Sequence, residues 1–167
     1  MRQLLVLMVC AVFLAGCGGD QQAKQSPSKP SGGQGKSQEF LTAGIQYLNQ
    51  QDVARAIHSF DMAIKTDPTN VENYLVLGQV YMRLKQYERA IDTFSAATRV
   101  DPNHAEAYYL LSLSKMMDGR YEKAEEAAQR SVELFMLNRE EDKFKRSLAL
   151  LKTIGEAKQK NASQTSQ

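Results

Sequence analysis

The chain has 167 residues, 43% of them hydrophobic and 24% charged, which is room for one ordinary domain with accessory segments and not for two large ones. Its 21 basic and 19 acidic residues leave a formal charge of +2, spread without the concentrated basic face that a nucleic-acid backbone demands. Both cysteines, Cys10 and Cys17, fall in the first segment, so a disulfide framework or a thiolate metal site is excluded from everything after it.

In chain order, Arg2 gives a positive start and Leu4 to Ala15 form a nearly unbroken apolar run that stops at Gly16 and Cys17. This is the layout of a secretory signal, too short for the roughly 20 apolar residues that a spanning helix needs. Leu14-Ala15-Gly16-Cys17 resembles a lipobox, the processing site of bacterial lipoproteins, at every position. The resemblance implies that the Cys17 thiol takes a diacylglyceryl group, that a peptidase cuts between Gly16 and Cys17, and that the new amine is acylated. Several chains on one residue make a lasting attachment where a single chain does not. With Gly18, not aspartate, after the cysteine, the enterobacterial sorting scheme implies the periplasmic side of the outer membrane. In a cell with one membrane it implies the outer face of the cytoplasmic membrane.

Residues 17–36 turn to Gly, Ser, Gln, Lys and Pro, with Ala23 the only aliphatic side chain. Such a segment buries too little apolar surface to offset its ordering entropy and is expected to be a disordered tether, with a span of about 25 Å.

At an offset of 34 residues the sequence then repeats itself. Tyr74, Leu77, Gly78, Tyr81, Ala90, Phe94, Ala97 and Pro102 fall at the spacings of a tetratricopeptide repeat. One period back lie Phe40, Ala43, Gly44, Tyr47, Ala56, Phe60, Ala63 and Pro68. One period on lie Tyr108, Leu111, Ser112, Lys115, Ala124, Ala128, Ser131 and Met136. The expected fold is therefore all-α, a right-handed helical-repeat solenoid of three tetratricopeptide helix pairs (37–70, 71–104 and 105–138) plus a C-terminal capping helix, 139–158, and a disordered tail, 159–167. Small Gly44, Gly78 and Ser112 facing Ala56, Ala90 and Ala124 let paired backbones cross closely. Pro68 and Pro102 end the second helices, and Asn70 and Asn103 are available to cap the helices that follow. Lys115, Ala128 and Met136 depart from the pattern, as expected of a terminal repeat. Asn138 and Glu141 have the spacing of a capping box. Phe144, Leu148, Leu150, Leu151 and Ile154 supply the buried stripe of the last helix.

No catalytic pattern, cofactor motif or metal-ligand spacing occurs, and His58 and His104, the only histidines, lie apart. The resemblance to tetratricopeptide repeats implies a binding protein, with the first helix of each pair lining a concave groove. Its groove residues here would be Leu41, Ile45, Leu48, Leu75, Val76, Gln79, Met82, Tyr109, Leu110, Leu113, Met116 and Met117, with Asn49 and Arg83 also at exposed positions. In one subclass lysine and asparagine on this face clamp a carboxylate. Leu41, Ile45, Val76, Tyr109 and Leu113 stand at the matching positions, so that clamp is not expected. An apolar, methionine-bearing groove suits an amphipathic helix or hydrophobic peptide. The strip is also open to being covered by the chain itself or by a second copy, making a homo-oligomer. The leading expectation is an envelope adaptor that binds a protein partner and reaches the membrane through its lipid. The alternatives are a pilotin-like assembly factor for a pilus, secretin or outer-membrane machinery, and an accessory organiser of envelope hydrolases.

Overall fold

A computed structural model describes residues 32–165 of the chain. The expected signal segment, the expected cleavage site at Gly16 and Cys17, and the stretch read as tether up to residue 31 lie outside the described residues. Seven helices follow one another: α1 (Gly32–Asn49), α2 (Val53–Thr66), α3 (Val71–Arg83), α4 (Tyr87–Val100), α5 (Ala105–Met117), α6 (Tyr121–Leu137) and α7 (Glu141–Thr165). The described residues contain no strand, and none of their helices is long and apolar enough to cross a membrane. Helices α1 to α6 form three antiparallel pairs, each packed on the next, with α7 laid along α6.

Two kinds of turn alternate. Within each pair a single residue takes the left-handed conformation: Gln51 (φ 62°), Lys85 (φ 57°) and Gly119 (φ 78°), one period apart. Each lets the next N–H reach back to close the helix, as Asp52 to the Tyr47 carbonyl at 2.8 Å and Gln86 to that of Tyr81 at 2.9 Å. Between pairs the chain turns at Pro68 and Pro102. There Asp67 and Asp101 accept the N–H groups of Thr69 and Asn103, at 3.3 and 2.9 Å. The Tyr74 hydroxyl donates to the Pro68 carbonyl at 3.0 Å.

The expected cap at Asn70 forms, its side chain accepting the Glu72 N–H at 3.0 Å. Asn103 does not cap α5. It is spent in the preceding turn, and the residue one period after Asn70 is His104, whose Nδ1 accepts the Ala107 N–H at 3.2 Å. Nor does the Asn138–Glu141 capping box form. Asn138 keeps helical dihedrals at the end of α6, Arg139 (φ 59°) makes the turn, and the Glu140 carbonyl starts α7.

Met136 in place of a proline has a direct consequence. Without the missing N–H and fixed φ, the second helix of the third pair runs on, and α6 has 17 residues where α2 and α4 have 14. The other end of the fold is also longer than composition suggests. Helix α1 begins at Gly32, inside the stretch read as tether, because its first turns are held by α2. Gly33 lies against the Thr66 carbonyl, and Ser37, 1% exposed, donates to the Ala63 carbonyl at 3.2 Å. Helix α7 likewise continues through the expected tail to Thr165, tied to α6 by Lys158 and Glu125 at 2.8 Å. Its buried stripe is Ser147, Leu150 and Ile154, with Phe144 and Leu151 half-buried. Leu148, expected inside, is 48% exposed.

The core repeats with the sequence. Phe60 and Phe94 are fully buried, their rings seated on Gly44 and Gly78 so closely that a Cβ on either glycine would collide with ring carbons. In the third pair the two sizes exchange. Ser112 stands where the glycine was, Ala128 where the phenylalanine was, and the Ser112 hydroxyl donates to the Ala124 carbonyl at 2.8 Å. The departures at Ser112 and Ala128 are thus one compensated change. A buried polar group ties the first pair to the second: the Asn73 amide, fully buried, donates to Ser37 Oγ at 3.0 Å, the Ala63 carbonyl at 3.2 Å and the Asp67 carbonyl at 3.0 Å.

Lys115 is the departure without such compensation. In the first two pairs the equivalent Tyr47 and Tyr81 carry the guanidinium groups of Arg55 and Arg89 over their rings, at 5.0 and 5.1 Å. In the third, half-buried Lys115 neighbours Lys123. Burial foremost, with Lys123 and Arg120 adding and Glu126 opposing, holds its pKa below the ordinary lysine value. A lysine so depressed binds its proton more tightly when unfolded. Its contribution to stability is therefore fully present above the ordinary lysine pKa and is lost as pH falls through the folded-state value. Lys115→Met is expected to be more stable than the native chain at neutral pH, with the difference shrinking as pH rises through the lysine range. Urea unfolding of both proteins across that range checks this, and a difference that does not change with pH would count against it.

Candidate peptide-binding groove

Helices α1, α3 and α5 share one face of the solenoid, and the expected groove residues divide there into three groups. Leu41, Leu75 and Leu110 are 6%, 4% and 9% exposed and belong to the core. They are removed from the groove because they pack into the core cluster that runs through the helix pairs. Tyr109, Leu113 and Met116 are half-buried against the cluster of Ala124, Ala128, Leu150 and Ile154, so α7 covers them. Arg146 of α7 fastens that cover, with its guanidinium 4.4 Å from the Tyr109 ring centre and 2.8 Å from Glu106. The reading in which the chain covers its own apolar strip therefore holds for the third pair.

Ile45, Leu48, Val76, Gln79, Met82 and Met117 remain. Leu48, Val76 and Met82 are half-buried on the core; Gln79 is exposed, and Ile45 and Met117 are each 49% exposed. Met82 is steadied from below by Ser114, whose hydroxyl lies 2.9 Å from its sulfur and 2.8 Å from the Leu110 carbonyl. Between α1 and α3 these side chains surround a hollow of about 240 Å³ lined by Ile45, Leu48, Asn49, Val76, Gln79, Val80 and Arg83. Its floor is apolar, and its three polar groups lie at the C-terminal ends of the two helices. Asn49 and Arg83 were legible as exposed positions. Their convergence on one hollow came from the pairing of α1 with α3, which brings residues one repeat apart side by side.

A second, shallower hollow of about 560 Å³ lies between α6 and α7, around Leu148, Ala149 and Leu151. Its charged rim is already satisfied: Glu125 pairs with Lys158, Lys145 with Glu141 and Lys152 with Glu156. The described residues hold no group of three His, Cys, Asp or Glu placed to bind a metal ion.

The arrangement is that of a helical-repeat binding domain: paired helices crossing at glycine or serine, stacked so that the first helices share one face. Two tetratricopeptide-repeat profiles match the sequence, at residues 47–114 and 105–135. The chain carries tetratricopeptide repeats. No curated protein matches it. Among solved structures it is similar to the yeast Sti1 TPR2B domain in its pHsp70 complex, at 19% identity and TM-score 0.66 over 72% of this chain and 97% of that one. It is similar to a T3SS complex chain from Aeromonas hydrophila, at 19% identity and TM-score 0.67 over 74% and 83%. PcrH in complex with the chaperone-binding region of PopD aligns at 19% identity and TM-score 0.65 over 72% and 92%.

Proposed function

We propose that this protein is a lipid-anchored adaptor of the bacterial cell envelope that seats an apolar or amphipathic peptide segment of a partner protein between α1 and α3. The observation that carries the reading is the hollow itself. Ile45, Leu48, Val76 and Val80 present apolar surface there that no part of α7 reaches. A face of this kind gains free energy by burying a complementary segment. Support comes from the solved relatives, since the Sti1 domain and PcrH were each captured with a bound partner segment.

The anchor rests on the lipobox, Leu14 to Cys17, and on the tether composition that follows. The position of the first helix suits it. The chain joins the domain at Gly32, beside Thr66 and the edge that bears the proline turns, whereas the hollow lies toward the far end of α1. At 1.5 Å per residue, α1 sets the hollow roughly 20 Å from the point of attachment. On a flexible tether that separation leaves the groove room to face away from the bilayer. With Gly18 after Cys17, the outer membrane is the proposed site in a cell with two membranes, and the outer face of the cytoplasmic membrane in a cell with one.

Two substitutions test the two halves. Cys17→Ala is expected to leave an unprocessed precursor without acyl chains, seen by mass and by loss from the detergent phase on partitioning; normal processing would overturn the anchor. Ile45→Asp, at an exposed position, is expected to change stability by no more than about 0.5 kcal/mol. It should abolish capture of the partner from envelope extracts, and a partner recovered equally by both forms does not use this groove.

A further inference from the structure

The hollow between α1 and α3 is apolar over most of its lining, yet it ends in one cation. Arg83 is the only charged side chain among the residues that line it, and no acidic group shares the lining. Most of the other arginines of the described residues are engaged. Arg55, Arg120, Arg130 and Arg146 each meet a carboxylate, and Arg89 meets the Gln86 amide and the Tyr81 ring. Arg83, like Arg99 and Arg139, has no ion pair, side-chain hydrogen bond or ring contact among the described residues, and of the three it alone lines this hollow. The neutral groups beside it, Asn49 and Gln79, likewise make no side-chain hydrogen bond.

From this we infer that the groove selects a peptide carrying a carboxylate next to its apolar anchor. This deepens the proposed groove reading and rests on it. The apolar anchor sits against Ile45, Leu48 and Val76, and the carboxylate is received by Arg83, with the Asn49 and Gln79 amides as neighbouring donors. A guanidinium offers a planar fork of N–H groups that matches a carboxylate with two parallel bonds, and a neutral ligand would leave that fork to water. The charge match is what commits the occupant. A basic amphipathic segment would place like charges together at the rim, and a purely apolar one would leave the polar end unused. These donors lie outside the positions of the known carboxylate clamp, which here carry Leu41, Ile45, Val76, Tyr109 and Leu113.

The test is selection of a display library of random peptides on the full-length chain, purified in mild detergent, followed by fluorescence anisotropy with the enriched peptides synthesised and labelled. The expected result is enrichment of peptides with Asp or Glu beside a large apolar residue. Replacing that acid by its amide, or introducing Arg83→Gln, should each weaken binding by roughly tenfold or more, as for a hydrogen bond to a charged group. The two changes together should cost little more than either one. Selection on Arg83→Glu should turn toward Lys or Arg at the same peptide position. Enriched peptides without an acid, or affinities unmoved by Arg83→Gln, would overturn the inference while leaving an apolar groove standing. Peptides whose binding survives Ile45→Asp, or a library that yields no binder, would overturn the groove reading and the inference together.

Discussion

Phe94→Ala is expected to lower the stability of the domain by about 3–5 kcal/mol, a large share of what a domain of this size possesses. The ring is fully buried and fills the space left by Gly78 where α3 and α4 cross. Gly78→Ser alone should also be costly, by about 1–3 kcal/mol or more, because its Cβ would collide with the Phe94 ring. The third pair shows how the crossing is built with the sizes exchanged, with Ser112 and Ala128 at the equivalent positions. Gly78→Ser combined with Phe94→Ala reproduces that pair and should cost clearly less than the sum of the two single changes. A coupling of about 1–3 kcal/mol is expected for side chains in such direct contact. Urea denaturation of the four proteins measures it. Additive effects would mean that the Ser112–Ala128 pair is coincidence, not compensation.

Asn73→Ala is expected to cost about 2–3 kcal/mol, and to do so unevenly along the solenoid. The side chain reaches three partners from one buried amide, and its removal strips a donor from the carbonyls of Ala63 and Asp67 and from Ser37. All three lie in or just after the first pair, so the change loosens the join between α2 and α3. Repeat stability is close to a sum of unit and neighbour terms. Hydrogen exchange should therefore quicken most in α1 and α2 and least in α5 to α7. A uniform increase across all helices would show that the first pair does not separate from the rest. The corresponding residue one period on is Ala107, fully buried in the apolar core, so that join does not depend on a side-chain amide.

Much of this architecture was legible because it repeats. Gly44 and Gly78, Phe60 and Phe94, and Pro68 and Pro102 each recur at the same interval, and each performs a task decided within one helix pair. Side-chain size at a crossing and backbone restriction at a turn are local properties, so a sequence read in register with itself reveals them. The third copy was harder. Ala128 read as a departure and Ser112 as one more small residue, since nothing in a linear pattern says that the two are matched in size at one crossing. Helix boundaries escaped for a similar reason. The Gly32–Lys36 stretch has a tether's composition, but contact with Thr66 and the burial of Ser37 extend α1 through it.

What the sequence determined by itself was the repeat: its period and its paired helices. Those follow from periodicity and local stereochemistry. Only the tertiary structure decided which part of the face shared by the first helices stays open. Leu41, Leu75 and Leu110 share the periodicity of groove residues and are core, because they are buried in the cluster that runs through the helix pairs. Tyr109, Leu113 and Met116 are covered because α7 returns along the third pair. Among the described residues Arg83 stands unpaired at the end of an apolar hollow, because no acidic side chain of α1 or α3 lines it. An amphipathic pattern specifies that a face is apolar; what lies against that face depends on elements distant in sequence, and their contacts leave no periodic trace.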